Sequence, residues 1–324
     1  MASTTRVAVL SAPRHIEIVE EPVREPAPDE VLLRVASCGV CTSELDMWQG
    51  MADIEFPRFP GHEVSGVVER AGSQVEGLEP GDPVAAWVTG RGFAEYVAVR
   101  AEYCFPAGSV PLDLALAEPL ACAVNAVELA APALGDDVVV IGAGFMGNLV
   151  QKLVQLKGPR HVIVADTRPD ALERAAQLGA TRTVNVLSES IVDLVREATG
   201  GAGADVSFEV TGAQAALLTL GDVTRMSGKV AIVGYHQGGM RELPLAAWNW
   251  MAFQIVNAHF RETDTIMGGM RAGMRLLTSG RLALDDLVTH RYALEDVNEA
   301  FATAVAKPEG FVKATVTIGP SPPG

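Results

Sequence analysis

The apolar positions of the chain follow two different rhythms. From residue 1 to about 110 they gather in short runs broken by Pro and Gly: RVAVL, HIEIVE, EVLLRVASCG, EVSGVVERAG, DPVAAWV and AEYVAV. Runs of that length and spacing predict the strands of an irregular β-barrel or sandwich. The phrase LALAEPLACAVNAVELAAPA predicts a helix, and beyond it the rhythm changes. DDVVVIGAG, HVIVAD, TRTVNV, ADVSFEVTG and KVAIVGY are strongly apolar, and helical stretches such as GNLVQKLVQLKG, DALERAAQLG and AQAALLTLGDVTRMSG separate most of them. Strands without an exposed polar face, alternating with helices, predict a parallel sheet covered on both sides. From about residue 265 the alternation stops. A helix over TIMGGMRAGMRLLTSG, a helix over ALEDVNEAFATAV and a last strand, FVKATVTIG, are expected to rejoin the first domain, ahead of a frayed GPSPPG end.

The pattern therefore predicts an α/β chain of two domains. Residues 1–117 form the irregular barrel, 118–262 a doubly wound parallel-sheet domain, and 263–324 return to the barrel. A length of 324 residues suits two cores better than one. The formal net charge of -15, with no basic patch to offset it, argues against nucleic acid as a partner. Charges interrupt the first apolar run too early for a signal peptide, and VVVIGAGFMGNLV is broken well short of the roughly 20 residues that span a bilayer. No membrane association is expected, and the location expected is cytoplasmic. Four cysteines, Cys38, Cys41, Cys104 and Cys122, are too few for a disulfide framework, so each reads as a buried thiol or a ligand.

Gly142, Gly144 and Gly147 form G-x-G-x-x-G, enclosing Phe145 and Met146, directly after the strand VVVI and before a helix. In that context the glycines allow the tight turn, the approach of a pyrophosphate to the backbone and close helix–strand packing. The helix N-terminus offers free N–H groups to the phosphates. Asp166 ends the next strand, 24 residues beyond Gly142, where a carboxylate accepts hydrogen bonds from ribose hydroxyls and repels a 2′-phosphate. That favours NAD over NADP, although Arg168 nearby could stack on adenine or hold a phosphate.

Cys41 and His62 lie 21 residues apart, with Glu63 adjacent to His62 and Glu118 opening the phrase EPLACAV. Thiolate, imidazole and carboxylate are zinc ligands, but spacing alone does not show convergence. Each residue also has an ordinary reading: Cys38 a core thiol, His62 a hydrogen-bonded loop histidine, Glu118 a helix N-terminal carboxylate. Cys38 and Cys41 form a C-x-x-C with no second pair to complete a four-cysteine site.

Taken together, CGVCTSEL, GHE, GDPV, EPL, GAGFMG with Asp166, EVTG, IVGY and LVTHR resemble the medium-chain dehydrogenase/reductase superfamily over nearly the whole chain. Within it the likeness is to the zinc-dependent alcohol, polyol (sorbitol) and threonine dehydrogenases. The resemblance implies a GroES-like catalytic barrel and a Rossmann domain. It also implies Cys41 and His62 as the first two catalytic zinc ligands, and Glu63 as a ligand or an exchanging carboxylate. Glu118 falls where alcohol-type members have a cysteine ligand, as in the sorbitol branch; Cys122, four residues on, reads as a helix-packing thiol. By the same likeness Ser43 relays the substrate proton and Arg261 stands near the substrate. Val210, Thr211, Val233 and Gly234 line the nicotinamide, and Lys313 sits near the pyrophosphate. Three departures matter. The segment from Asp82 to Phe93 is too short for the four-cysteine structural zinc lobe, so one catalytic zinc per chain and no structural zinc are expected. Glu44 stands in place of an aspartate, and Asp46 in place of a histidine of the proton pathway.

The implied activity is hydride transfer between NAD(H) and an alcohol or ketone, with a small hydroxylated substrate such as a polyol, sugar or cyclitol, in a homodimer or homotetramer. Two other readings stand beside it: a zinc-free reductase of an activated carbon–carbon double bond, and a nucleotide-binding protein without turnover. Met47, Trp48, Trp87, Trp248 and Trp250 are candidate pocket aromatics and apolar residues, although such side chains in apolar segments are more often core.

Overall fold

The computed structural model describes residues 4–319, so the PSPPG end lies outside the described residues. The chain divides into two compact units. One holds the residues up to Ala121 together with those from Met270 onward, and the other runs from Cys122 to Gly269. Among the described residues no helix is long and apolar enough to cross a membrane.

The first unit is built from β1 (Thr4–Ala12), β2 (His15–Pro22), β3 (Glu30–Gly39), a short helix α1 (Leu45–Gln49), β4 (Glu63–Ala71), β5 (Pro83–Trp87), β6 (Tyr96–Arg100) and β7 (Cys104–Pro106), after which α2 (Ala117–Ala130) begins. The central strand is β3, which pairs antiparallel with β4, β6 and the last strand of the chain. Its side chains are buried on both faces, Val31, Leu33, Val35 and Cys38 among them, which explains why EVLLRVASCG carries so few polar residues.

The second unit follows as β8 (Asp137–Ile141), α3 (Phe145–Gln155), β9 (His161–Asp166), α4 (Pro169–Gln177), β10 (Arg182–Asn185), α5 (Ile191–Ala198), β11 (Ala204–Glu209), α6 (Gln214–Val223), β12 (Thr224–Ile232), α7 (Leu245–Trp250) and β13 (Gln254–Asn257). Its six strands run parallel in the order β10-β9-β8-β11-β12-β13, the doubly wound order in which the sequence direction reverses beside the first strand. Two details depart from the pattern-based expectation. The helix expected over AQAALLTLGDVTRMSG stops at Val223, because the β-branched Thr224 turns its hydroxyl back onto the Leu220 carbonyl (2.6 Å) and onto Ser207 (2.8 Å), and Ser227 takes a left-handed φ of 59°. The edge strand β13 is only four residues long inside WNWMAFQIVNAHF and shows no strand-like run of its own.

Helix α8 (Thr263–Thr278) leads back to the first unit, which β14 (Val288–Ala293), α9 (Val297–Ala306) and β15 (Lys313–Thr317) complete. Strand β15 lies between β14 and β3, and α9 places Phe301 in the barrel core, 5.7 Å from the ring of Phe93 and 5.9 Å from that of Trp48. Asn298 closes the seam by accepting from the Ile16 amide (2.9 Å) and donating to its carbonyl (2.6 Å).

A charge cluster finishes the N-terminal edge of the parallel sheet. Asp137 at the start of β8 is buried and accepts from Arg160 and His161, while its own amide donates to Asp205, which Arg225 holds at 2.6 Å. Burial pushes the Asp137 carboxyl up, but the hydrogen bonds from Arg160 and His161 outweigh it and hold it below the ordinary value. A depressed folded value stabilises fully above the unfolded carboxylate value of about 3.9 and is lost as pH falls through the lower folded one. Asp137→Asn is therefore expected to lower the unfolding free energy at pH 7 by on the order of 1–3 kcal/mol. In denaturant titrations the gap from wild type should narrow steadily below about pH 4; a pH-independent gap would contradict this assignment.

Candidate metal centre and dinucleotide site

Two segments, the turn after β3 and the entry of β4, build the first site. Beyond Gly39 the chain makes a 3-10 turn over Thr42–Glu44, with Cys41 just before it. Glu44 is buried and its Oε1 accepts from the Gly61 amide at 2.6 Å while lying 3.2 Å from His62 Nδ1. One carboxylate thus ties the turn after β3 to the turn before β4 and leaves Nε2 of His62 for a ligand. Gly61 has φ 98°, and a Cβ there would come within 2.7 Å of the Phe93 amide, so the turn needs glycine.

Register brings Glu63 to the same place. Glu63 is paired with Gly39, and a Cβ on Gly39 would stand 2.0 Å from Glu63 Oε2, so the missing side chain is what admits the carboxylate. Ligand atoms of Cys41, His62 and Glu63 all lie within 4.8 Å of one another. Ser43 donates to the Cys41 sulfur at 3.2 Å and is itself exposed.

Lys313, expected beside a pyrophosphate, has a different partner. Its buried Nζ lies 2.8 Å from Oε1 and 2.6 Å from Oε2 of Glu63 and donates to the Val40 carbonyl at 2.9 Å. Burial pushes the ammonium down, but Glu63 first, then Cys41, with Glu118 adding, holds it above its ordinary value. His62 is likewise pushed down by burial and carried well above its ordinary value by Glu44 and Cys41. Glu118 stands in the first turn of α2, outside the group of three, where it acts on Lys313 through its charge.

Cys38 is a core thiol. Burial pushes it well up, with the charges of Glu44 and Glu63 adding, and Cys104 is raised by burial to about 12. Neither is a thiolate near neutrality, which fits a packing role for both. The donor set that remains fits a divalent cation of zinc type: one thiol, one oriented imidazole and a buried carboxylate whose Oε2 lacks an aligned hydrogen-bond donor.

In the second unit the glycines divide the work. Gly142 has φ 112° and packs against the methyl of Thr211, while a Cβ on Gly147 would meet the Gly142 carbonyl at 1.8 Å. Those two are required by the fold itself. A Cβ on Gly144 would meet nothing within 4 Å, so packing does not require glycine there. Phe145 is buried and Met146 half-buried at the start of α3. Asp166 accepts from the amides of Ala143 (2.7 Å), Thr167 (2.7 Å) and Arg168 (2.9 Å), which couples the end of β9 to the glycine loop. The guanidinium of Arg168 stands 3.9 Å from Asp166 and 3.8 Å from Asp170.

The adjacent loops are held by a residue that sequence reasoning passed over. Glu209 ends β11 with no exposed surface, and its backbone carbonyl accepts from the amides of Val233 (2.8 Å) and Gly234 (2.9 Å). Its Oε1 accepts from Thr211 and Gly212, and the Val210 amide donates to Ile141. The signal was available: a carboxylate closing an otherwise apolar strand, ADVSFE. Arg261 lies exposed beyond β13 with its guanidinium on the Phe260 carbonyl. Trp48 and Trp248 are core residues, Met47 packs against the barrel core, Trp87 lies with its ring tilted 60° to that of Tyr103 at 5.4 Å, and Trp250 is exposed.

Comparison with known proteins agrees with this geometry. Residues 27–109 match the alcohol dehydrogenase GroES-like domain and residues 146–269 the zinc-binding dehydrogenase domain. The chain is 30% identical to sorbitol dehydrogenase of Homo sapiens, covering 91% of both proteins. It is 31% identical to L-threonine 3-dehydrogenase of Pyrococcus horikoshii, covering 91% of this chain and 94% of that one. The crystal structure of 2R,3R-butanediol dehydrogenase from Bacillus subtilis superposes with a TM-score of 0.84 at 26% identity, over 97% of this chain and all of that one. With both units matched and the ligand residues assembled, the chain belongs to the zinc-dependent alcohol dehydrogenase branch of the medium-chain dehydrogenase/reductase superfamily, whose members act on CH–OH groups.

Proposed function

We propose that this protein transfers a hydride between NAD(H) and the carbinol carbon of a small polyhydroxylated alcohol or its ketone, with one zinc per chain on Cys41, His62 and Glu63. The convergence of those three donors within 4.8 Å carries the reading. When bound, zinc supplies Lewis acidity that makes an alcohol proton labile near neutral pH, and the nicotinamide supplies the hydride acceptor. The chain's own residues do the rest. Glu44 orients the His62 ring through Nδ1, and Lys313 offsets the charge of Glu63. Ser43, hydrogen-bonded to Cys41 and open to solvent, passes the substrate proton outward. Support for a polyol-type substrate comes from the sorbitol dehydrogenase likeness and from a carboxylate, Glu118, at the position where alcohol-type members carry a cysteine.

The choice of NAD rests on Asp166. A carboxylate has about four acceptor sites, and backbone amides use three here, which leaves one for a ribose hydroxyl and a negative charge against a 2′-phosphate. Arg168 is offset by two carboxylates and so is poorly placed to reverse that preference.

Protein prepared without chelator is expected to hold one zinc per chain and to reduce NAD faster than NADP in a polyol screen. Cys41→Ala and His62→Ala should each lose the metal and on the order of a thousandfold in turnover while still binding NADH. Undiminished turnover in either variant would end the zinc reading, and metal-free protein that reduces enones instead would identify a double-bond reductase.

We also infer pairing of two copies through β13. This edge of the six-stranded sheet carries Ile255, 47% exposed, with Trp250 (80%) five residues before it and Met226 (54%) on the neighbouring strand β12. An apolar open edge of that kind is stable in solution when a second copy covers it isologously. Light scattering should give a dimer or a tetramer built of two such dimers, and Ile255→Lys should break the dimer contact and lower the mass accordingly; an unchanged mass would place the interface elsewhere.

A further inference from the structure

Glu209 has more partners than strand termination needs. Its Oε1 accepts from the Thr211 amide (2.6 Å), the Thr211 hydroxyl (2.6 Å) and the Gly212 amide (2.8 Å). Its Oε2 accepts from His236 Nε2 at 2.8 Å. The other ring nitrogen of His236 faces Arg241 Nε at 3.3 Å, and Arg241 in turn donates to the carbonyls of Gln237 (2.5 Å) and Met240 (3.3 Å). Arginine can only donate, so Nδ1 of His236 is the acceptor and Nε2 carries the proton that reaches Glu209. The chain Arg241, His236, Glu209 thus connects a surface cation to a buried anion through a single tautomer of one imidazole.

This chain fixes three loops against one another. Thr211, both of whose hydroxyl roles are taken, by Glu209 and by the Ala213 amide at 2.9 Å, is left presenting its methyl to Gly142 of the dinucleotide loop. Gly234 is pressed so closely on Glu209 that a Cβ would fall 2.6 Å from Oε2 and 2.3 Å from the Gly212 amide. His259 adds a bond of 3.1 Å to the Gly234 carbonyl. The backbone at Val210, Thr211, Val233 and Gly234 therefore has one arrangement, set by the carboxylate and its imidazole partner.

We infer that Glu209 and His236 are positioning residues that hold the nicotinamide half of the cofactor, and not its adenosine half, in register for hydride transfer. The inference rests on the proposed function together with the family likeness that sets Val210, Thr211, Val233 and Gly234 beside the nicotinamide. The adenosine ribose and the pyrophosphate are assigned to separate elements, Asp166 and the N-terminus of α3, to which Glu209 makes no hydrogen bond, its nearest reach being the Thr211 methyl against Gly142.

The two halves can be separated with ligands. NADH carries the nicotinamide and ADP-ribose lacks it, so calorimetric or fluorescence titration of full-length protein with each reads the nicotinamide contribution directly. His236→Leu removes the donor to Glu209, Glu209→Gln replaces the anion, and His236→Gln keeps an N–H close to the Nε2 position. Loss of one charge-assisted hydrogen bond should weaken NADH binding by about tenfold in the first two variants. ADP-ribose affinity should stay unchanged, and His236→Gln should restore most of the NADH affinity. Equal weakening of both ligands, or of neither, overturns the positioning role, even where the variants unfold at lower temperature. Wild-type protein that binds no NADH would remove the proposed function itself, and this device with it.

Discussion

The carboxylate of Glu63 is enclosed in the barrel with 1% of its surface exposed, and a buried anion requires compensating charge beside it. That requirement organises the first unit. Three adjacent strands answer it: β4 carries Glu63, β3 opens a space with Gly39, and β15 brings the ammonium of Lys313 from the far end of the chain. The return of the C-terminal segment is therefore part of the site and not only of the core. Lys313 stands against Glu63 and His62 against Glu44, and a divalent cation on Cys41, His62 and Glu63 would take over part of that compensation.

The second unit applies the same physics to the backbone. Parallel strands end in loops whose amides have no strand partners, and a carboxylate at the strand end can gather several of them. Asp166 gathers the amides of Ala143, Thr167 and Arg168, and Glu209 those of Thr211 and Gly212. Each acts as a template for a loop. The glycines supply the complementary half of the design, since Gly142, Gly147 and Gly234 sit where any side chain would collide with the neighbouring loop.

Much of this was legible in the sequence, because the signals were local. The parallel sheet showed in five apolar runs and the dinucleotide loop in three glycines after a strand, while Cys41, His62 and Glu63 were singled out by the family likeness, since their spacing alone shows no convergence. What stayed hidden depends on distant partners or on small balances of energy. Lys313 meets Glu63 across 250 positions, and no local pattern announces that pairing. Strand β13 is too short to show a period, and the end of α6 is decided by the hydroxyl of Thr224 rather than by hydrophobic spacing. Trp48 and Trp248, plausible as pocket walls, are consumed by the two cores. Glu118 matched a ligand position by likeness, yet it stands outside the assembled group and contributes charge to Lys313.

The proposed zinc chemistry stands on Cys41, His62 and Glu63 forming one mixed-donor cation site. X-ray absorption at the zinc edge of the zinc-loaded protein reads that donor set without reference to catalysis. A single sulfur neighbour at about 2.3 Å together with nitrogen and oxygen neighbours at about 2.0–2.2 Å is expected. A shell of four sulfurs, or one with no sulfur, would contradict it.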